Sequence, residues 1–92
     1  MADEVVLRAR VTGRVQGVWF RGWTEREARR LGLRGWVRNE PDGSVSALIA
    51  GPQAAVSAMV ATLHQGPRAA RVSQVVTEEV AEAVPEGFSV TR

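Results

Sequence analysis

A chain of 92 residues can enclose one hydrophobic core but not two, so a single domain spanning residues 1–92 is expected. It is 45% apolar yet has no run near the roughly 20 apolar residues that span a bilayer, and Met1-Ala2-Asp3-Glu4 is acidic where a secretory signal is basic, which points to a soluble cytoplasmic protein. With no cysteine and one histidine there is no disulfide, no thiol nucleophile and no zinc ligand set, and a formal charge of +2 is too small to be a nucleic-acid signature.

Val5 to Thr12 alternates, with Val5, Leu7, Ala9 and Val11 on one side and Val6, Arg8, Arg10 and Thr12 on the other, the period of a half-buried strand. This strand delivers Gly13. From Phe20 onward, Thr24, Ala28 and Leu31 recur at helical spacing while Glu25, Arg26, Arg29 and Arg30 take the opposite side, predicting a helix over about residues 21–32 that ends at Gly32. Residues 35–39 are extended, and Glu40-Pro41-Asp42-Gly43 has the chemistry of a tight reversal. Val45, Ala47 and Ile49 resume the alternation, so the second and third strands form a hairpin. Gly51-Pro52 breaks the third strand and places proline in the first turn of a second helix, whose stripe is Val56, Met59, Val60 and Leu63. Gly66-Pro67 stops that helix. Val72, Val75, Val76 and Val80 mark a fourth strand of imperfect alternation, with a bulge or early end expected near Glu78, and Phe88 and Val90 make a short closing strand. The order β-α-β-β-α-β, with one apolar stripe on each helix, predicts an α+β, ferredoxin-like split fold: an antiparallel sheet with two helices on one face.

The stretch from Gly13 to Arg21, Gly-Arg-Val-Gln-Gly-Val-Trp-Phe-Arg, carries the chemistry. Glycines open dihedrals that let successive N–H groups turn toward one point, and a helix starting just beyond adds unpaired N–H groups and a positive dipole end. Arg21 then offers a planar fork that matches two oxygens of one phosphate. The loop is not a nucleotide P-loop, because Gly17 is not followed by Lys and Ser or Thr. Charge is uneven as well: nine arginines between Arg8 and Arg38 face only Glu25 and Glu27, so this stretch carries +7 and would draw an anionic ligand.

That loop, together with Gly35-Trp36-Val37-Arg38-Asn39 and Asp42-Gly43-Ser44-Val45, resembles the acylphosphatase family. Ala28, Leu31-Gly32-Leu33 and Gly66-Pro67 are similar to the family too, so the resemblance covers nearly the whole chain. It implies hydrolysis of carboxyl phosphates by a small monomeric enzyme without metal or organic cofactor. It also implies that Arg14, Val15, Gln16, Gly17, Val18, Trp19 and Phe20 cradle the substrate phosphate, that Arg21 binds it, and that Asn39 orients the attacking water. The residue types suit that chemistry. A carboxylate leaving group is already a weak base, so no general acid is needed, and an asparagine carboxamide has the donors and the acceptor to hold a water in line.

Two alternatives lack turnover: an RNA-binding module, which would need aromatics on central strands that the third strand lacks, and a sensor of small anions, which would not need an oriented water. Kinship to the acylphosphatase-like domain of carbamoyl-transferring hydrogenase-maturation proteins is a further reading, against which the short length stands. Arg8, Arg10, Arg26, Arg29 and Arg30 are expected on a solvated face and His64 facing solvent. Trp36 is expected to pack, whereas the residues leave Trp19 and Trp23 open between packing and lining the entrance.

Overall fold

The computed structural model describes residues 4–91, so Arg92 and the acidic opening at Met1 to Asp3 lie outside the described residues. In chain order the elements are β1 (Glu4–Arg14), α1 (Phe20–Arg30), β2 (Arg34–Asn39), β3 (Val45–Pro52), α2 (Gln53–Gln65), β4 (Arg71–Glu79) and β5 (Phe88–Val90). The five strands form one sheet in the order β4-β1-β3-β2-β5. The first four pair antiparallel in the expected ferredoxin-like arrangement, and β5 adds to the β2 edge in parallel, opposite Gly35 to Val37.

Alternation along the strands fixes which face the helices cover. Ala9 and Val11 of β1, Val37 of β2, and Val45, Ala47 and Ile49 of β3 are all buried with the helix residues Phe20, Trp23, Ala28, Val56, Met59 and Leu63. Helix α1 lies against β2 and β5, and α2 against β4, β1 and β3. Phe20 and Trp23 meet edge to face, with ring centroids 5.3 Å apart, and anchor the start of α1 in the core. Burial of a side chain such as Phe20 is worth roughly 1.5–3 kcal/mol, so the segment that begins α1 is held firmly.

Three local features differ from the sequence pattern. Strand β3 runs through Gly51-Pro52 rather than stopping before them, with Glu4 opposite Pro52. Proline is admissible there because it is the strand's last residue, and it caps α2 from outside instead of entering its first turn. Strand β4 ends at Glu79, the early end expected near Glu78, but its bulge lies near its start: Thr12 faces Gln74 and Gly13 faces Val72, leaving Ser73 as the extra residue. Finally, Trp36 packs on the face of the sheet that has no helices. It is half-buried there between the guanidinium groups of Arg38, 4.5 Å from its ring centroid, and Arg8, at 5.7 Å.

Residues 80 to 87 connect opposite edges of the sheet. They cross on this open face, where Val84 accepts a hydrogen bond from Arg34 and Glu82 meets Arg8, and Leu48 and Ala50 are buried on the same side. Gly35, with φ 141, lies tight against β3: a Cβ would overlap the Leu48 carbonyl oxygen and lie 2.7 Å from its carbon. Among the described residues, no helix is long and apolar enough to cross a membrane.

Candidate active site

The sheet register brings distant residues to one rim. Asn39, the last residue of β2, stands opposite Val45, and Val45 in turn stands opposite Val11 of β1. Only three residues beyond Val11, β1 ends and the loop from Val15 to Trp19 begins. Asn39 and the glycine loop therefore meet through the β2–β3 hairpin. Val90 arrives at the same rim because β5 runs parallel to β2 and pairs with Val37.

A cavity of about 310 Å³ opens between these segments, lined by Val15, Gly17, Trp19, Phe20, Arg21, Gly22, Asn39 and Val90. Of the residues expected to form the site, Val15, Gly17, Trp19, Phe20, Arg21 and Asn39 come together here, and Arg14, Gln16 and Val18 do not line it. Arg14 is exposed at the end of β1 opposite Arg71, and Val18 packs against the core. Gln16 turns away to staple the loop to the hairpin. Its side-chain amide donates to the carbonyl oxygens of Glu40 and Ser44, both at 2.8 Å. These carbonyls flank the reversal next to Asn39, so one side chain sets the distance between loop and asparagine. The reversal is itself braced by Asp42, whose Oδ1 accepts from the Ser44 amide at 2.9 Å and hydroxyl at 2.7 Å.

The loop backbone suits an anion. Gly17 has φ 74 and Trp19 has φ 63, left-handed conformations inside a chain of ordinary ones, which is how consecutive amides form a concave nest. Phe20, Arg21 and Gly22 begin α1, so their N–H groups lack acceptors within the helix, and no side chain caps them. Dipole and free amides both favour negative charge at this point.

Two side chains of the cavity are electrostatically incomplete. Arg8, Arg10, Arg26, Arg29, Arg30, Arg34 and Arg38 each have a carboxylate partner, and Arg14, Arg68 and Arg71 are exposed. Among the described residues Arg21 is the one arginine that is neither exposed nor ion-paired. The positive stretch seen in the sequence is thus largely neutralised by pairs such as Arg10–Asp42, Arg34–Glu4 and Arg38–Glu40, and apart from the exposed Arg14 its unpaired guanidinium sits in the cavity. Glu40 illustrates this pairing, because its hydrogen bond from Arg38, then one from Ser46, hold its carboxyl below the usual range. The second incomplete group is Asn39, whose Oδ1 is buried without a hydrogen-bond partner. Such an orphaned acceptor costs roughly 1–3 kcal/mol, a cost that persists where function uses the group.

The match to a family model closes the question of kinship: the model described as Acylphosphatase covers residues 7–90. The chain belongs to the acylphosphatase family. An acylphosphatase of Rhizobium meliloti is 61% identical over 91 residues, which take in 98% of this chain and 96% of that relative. Among solved structures, an acylphosphatase from Coxiella burnetii superposes with a TM-score of 0.92 at 34% identity, covering 96% of this chain and 93% of its own. Full-length HypF, in a phosphate- and nucleotide-bound form, shares the fold over 12% of its length, with a TM-score of 0.89 and 18% identity.

Gly22 and Val90 are the lining residues that the family resemblance alone does not single out. Val90 carries no sequence signal for a site, since its place depends on parallel pairing with Val37, 53 residues earlier in the chain. Gly22 follows Arg21 directly, and its small size makes room for Trp19. The remaining expectations fall out as follows: Trp23 is buried in the core, Trp19 is exposed at the cavity, and His64 is exposed at the end of α2. Arg29 is more than a solvated charge, because it donates through Nε and Nη2 to the Phe88 carbonyl and ties α1 to β5. Among the described residues no group of three or more His, Cys, Asp or Glu side chains is placed to hold a metal ion.

Proposed function

We propose that this chain acts as a single-domain, monomeric, cytoplasmic acylphosphatase that hydrolyses acyl phosphates to a carboxylate and inorganic phosphate. The observation that carries the reading is Arg21: half-buried and, among the described residues, without a carboxylate partner, it lines a cavity beside Asn39, whose Oδ1 is buried and unpartnered. The free amides of the loop and the start of α1 receive the phosphoryl oxygens, and Arg21 bridges two of them. Asn39 Oδ1 accepts a hydrogen bond from a water and holds its oxygen in line with the bond to be broken.

Attack forms a bond from the water oxygen to phosphorus, and the bond from phosphorus to the acyl oxygen breaks. The electron pair leaves on the carboxylate, whose conjugate acid has a pKa of roughly 4, so it departs without protonation. The water's proton passes to a phosphate oxygen, which gives carboxylate and dihydrogen phosphate, and at neutral pH the latter then loses a proton to solvent. Charge spread over the equatorial oxygens is stabilised by fixed amides and a guanidinium, a role that Mg²⁺ fills in other phosphoryl-transfer sites.

The test is release of inorganic phosphate from benzoyl phosphate by the purified protein, with and without a chelator. Turnover that survives the chelator is the expected result. No release above the uncatalysed rate sinks the enzyme reading, and release that needs added Mg²⁺ sinks the metal-free route. An anion sensor would bind phosphate and leave benzoyl phosphate intact.

A further inference from the structure

Trp19 is the one residue other than glycine with positive φ among the described residues. A bulky side chain in that conformation costs about 1–3 kcal/mol of local strain. Burial does not offset it, because Trp19 is 61% exposed. The ring is nonetheless fixed. It lies against Gly22, where a Cβ would run into the indole and approach its Cδ1 to 2.9 Å, and the Arg26 guanidinium sits 5.2 Å from its centroid. Loop, glycine and arginine together hold a large apolar surface in water at the wall of the cavity.

The cavity is chemically divided. Arg21, Asn39 and the loop amides supply its polar part, while Trp19 and Val90, two of the three exposed large apolar side chains among the described residues, belong to its lining. An acyl phosphate is divided the same way, into a dianionic phosphoryl end and an acyl end. We infer that the Trp19 indole, with Val90, is the platform for the acyl group, and that it selects substrates whose acyl group is flat and apolar, aromatic above all, over short acyl groups such as acetyl. This rests on the acylphosphatase reading. The backbone of Trp19 serves the phosphate and its ring serves the other end of the same molecule, so one strained residue couples the two halves of recognition. Exposed, rigid and amphipathic, an indole loses little entropy on stacking with such a ligand.

The experiment uses ligands that cannot turn over, so that its failure is separable from failure of the enzyme reading. Phenacylphosphonate and acetonylphosphonate replace the bridging oxygen of benzoyl and acetyl phosphate with carbon, and their affinities for the intact protein are measured by calorimetry. The wild type is expected to prefer the phenacyl ligand by roughly tenfold. Trp19→Asn keeps a residue that tolerates left-handed backbone and is expected to abolish that preference, whereas Trp19→Phe retains most of it. A purely structural role for the ring would weaken both ligands alike and leave the ratio unchanged. Equal affinities in the wild type, or a ratio that survives Trp19→Asn, overturn the inference. Absence of benzoyl phosphate hydrolysis alongside a preserved, Trp19-dependent preference would instead refute only the catalytic reading.

Discussion

Gln16 stands outside the cavity, yet the geometry makes it the joint between the phosphate loop and Asn39. Its amide makes two hydrogen bonds of 2.8 Å to main-chain carbonyls in a half-buried setting. Each is worth about 1 kcal/mol net, so Gln16→Ala should cost about 2 kcal/mol. For a domain of this size that corresponds to a fall of roughly 8–16 °C in Tm, at about 4–8 °C per kcal/mol. Gln16→Glu is the sharper probe, since it conserves shape but sets an acceptor-only carboxylate against the carbonyl oxygens of Glu40 and Ser44. At neutral pH it should destabilise more than Gln16→Ala. Repulsion and partial burial raise the introduced carboxyl's folded-state pKa above its unfolded value of about 4.3. The folded state therefore holds the proton more tightly, and the deficit relative to wild type should shrink as pH falls through the raised pKa. Thermal unfolding followed by circular dichroism at pH 5 and pH 7, with inhibition by inorganic phosphate as a readout of the loop, measures both effects. A Tm for Gln16→Ala within about 2 °C of wild type, or Gln16→Glu no worse than Gln16→Ala at pH 7, would refute the staple.

Arg21→Ala should weaken phosphate binding by about 2–4 kcal/mol, roughly 30- to 1,000-fold, as a charge-assisted fork is lost; inhibition constants for phosphate report it. Asn39→Ala should leave phosphate affinity near wild type while turnover falls roughly 100-fold or more, the scale expected when a nucleophile is no longer held in place, and near wild-type turnover would remove Asn39 from its assigned role. Because the same change deletes an unpartnered buried acceptor, urea denaturation should show no loss of stability in this variant. Gly35→Ala should cost at least about 3 kcal/mol, since the obstructing atoms are main-chain atoms of Leu48, whereas Gly43→Ala in the open hairpin turn should cost only about 1 kcal/mol. Glu40 has a carboxyl held below its ordinary range by Arg38 and Ser46, so it contributes stability above that range that is lost as pH falls through its folded pKa; Glu40→Gln should flatten this acid limb in pH-dependent melting curves.

Much of this arrangement was legible in the sequence because it is local. The alternation of Val5 to Val11, the stripe Val56, Met59 and Leu63, and the Pro-Asp-Gly reversal each encode their element within a dozen residues, and the buried positions follow them. The loop from Gly13 to Arg21 stood out through its glycines and arginine, whereas Asn39, which turn chemistry alone would explain, was singled out by the resemblance to the acylphosphatase family. What escaped depends on chain segments far apart. The pairing of β5 with β2 is long-range and rests on three residues, so it left no periodic trace. Trp36 has the composition of a core residue but falls on the open face, a matter of register that its neighbours Gly35 and Val37 decide. The β4 bulge sits opposite the step from Thr12 to Gly13, where Gly13 takes φ 122, and not at any irregularity in the valines.

Since the cavity draws on residues 15–22, on Asn39 and on Val90, and these meet only when β1, β2, β3 and β5 are all in register, its assembly is inseparable from closure of the sheet. Pairings such as Glu4 with Pro52 are non-local and slow to form. A chain halted partway along its folding route would thus hold no weakened version of the catalyst, and recovery of activity after dilution from denaturant should keep time with the last cooperative step.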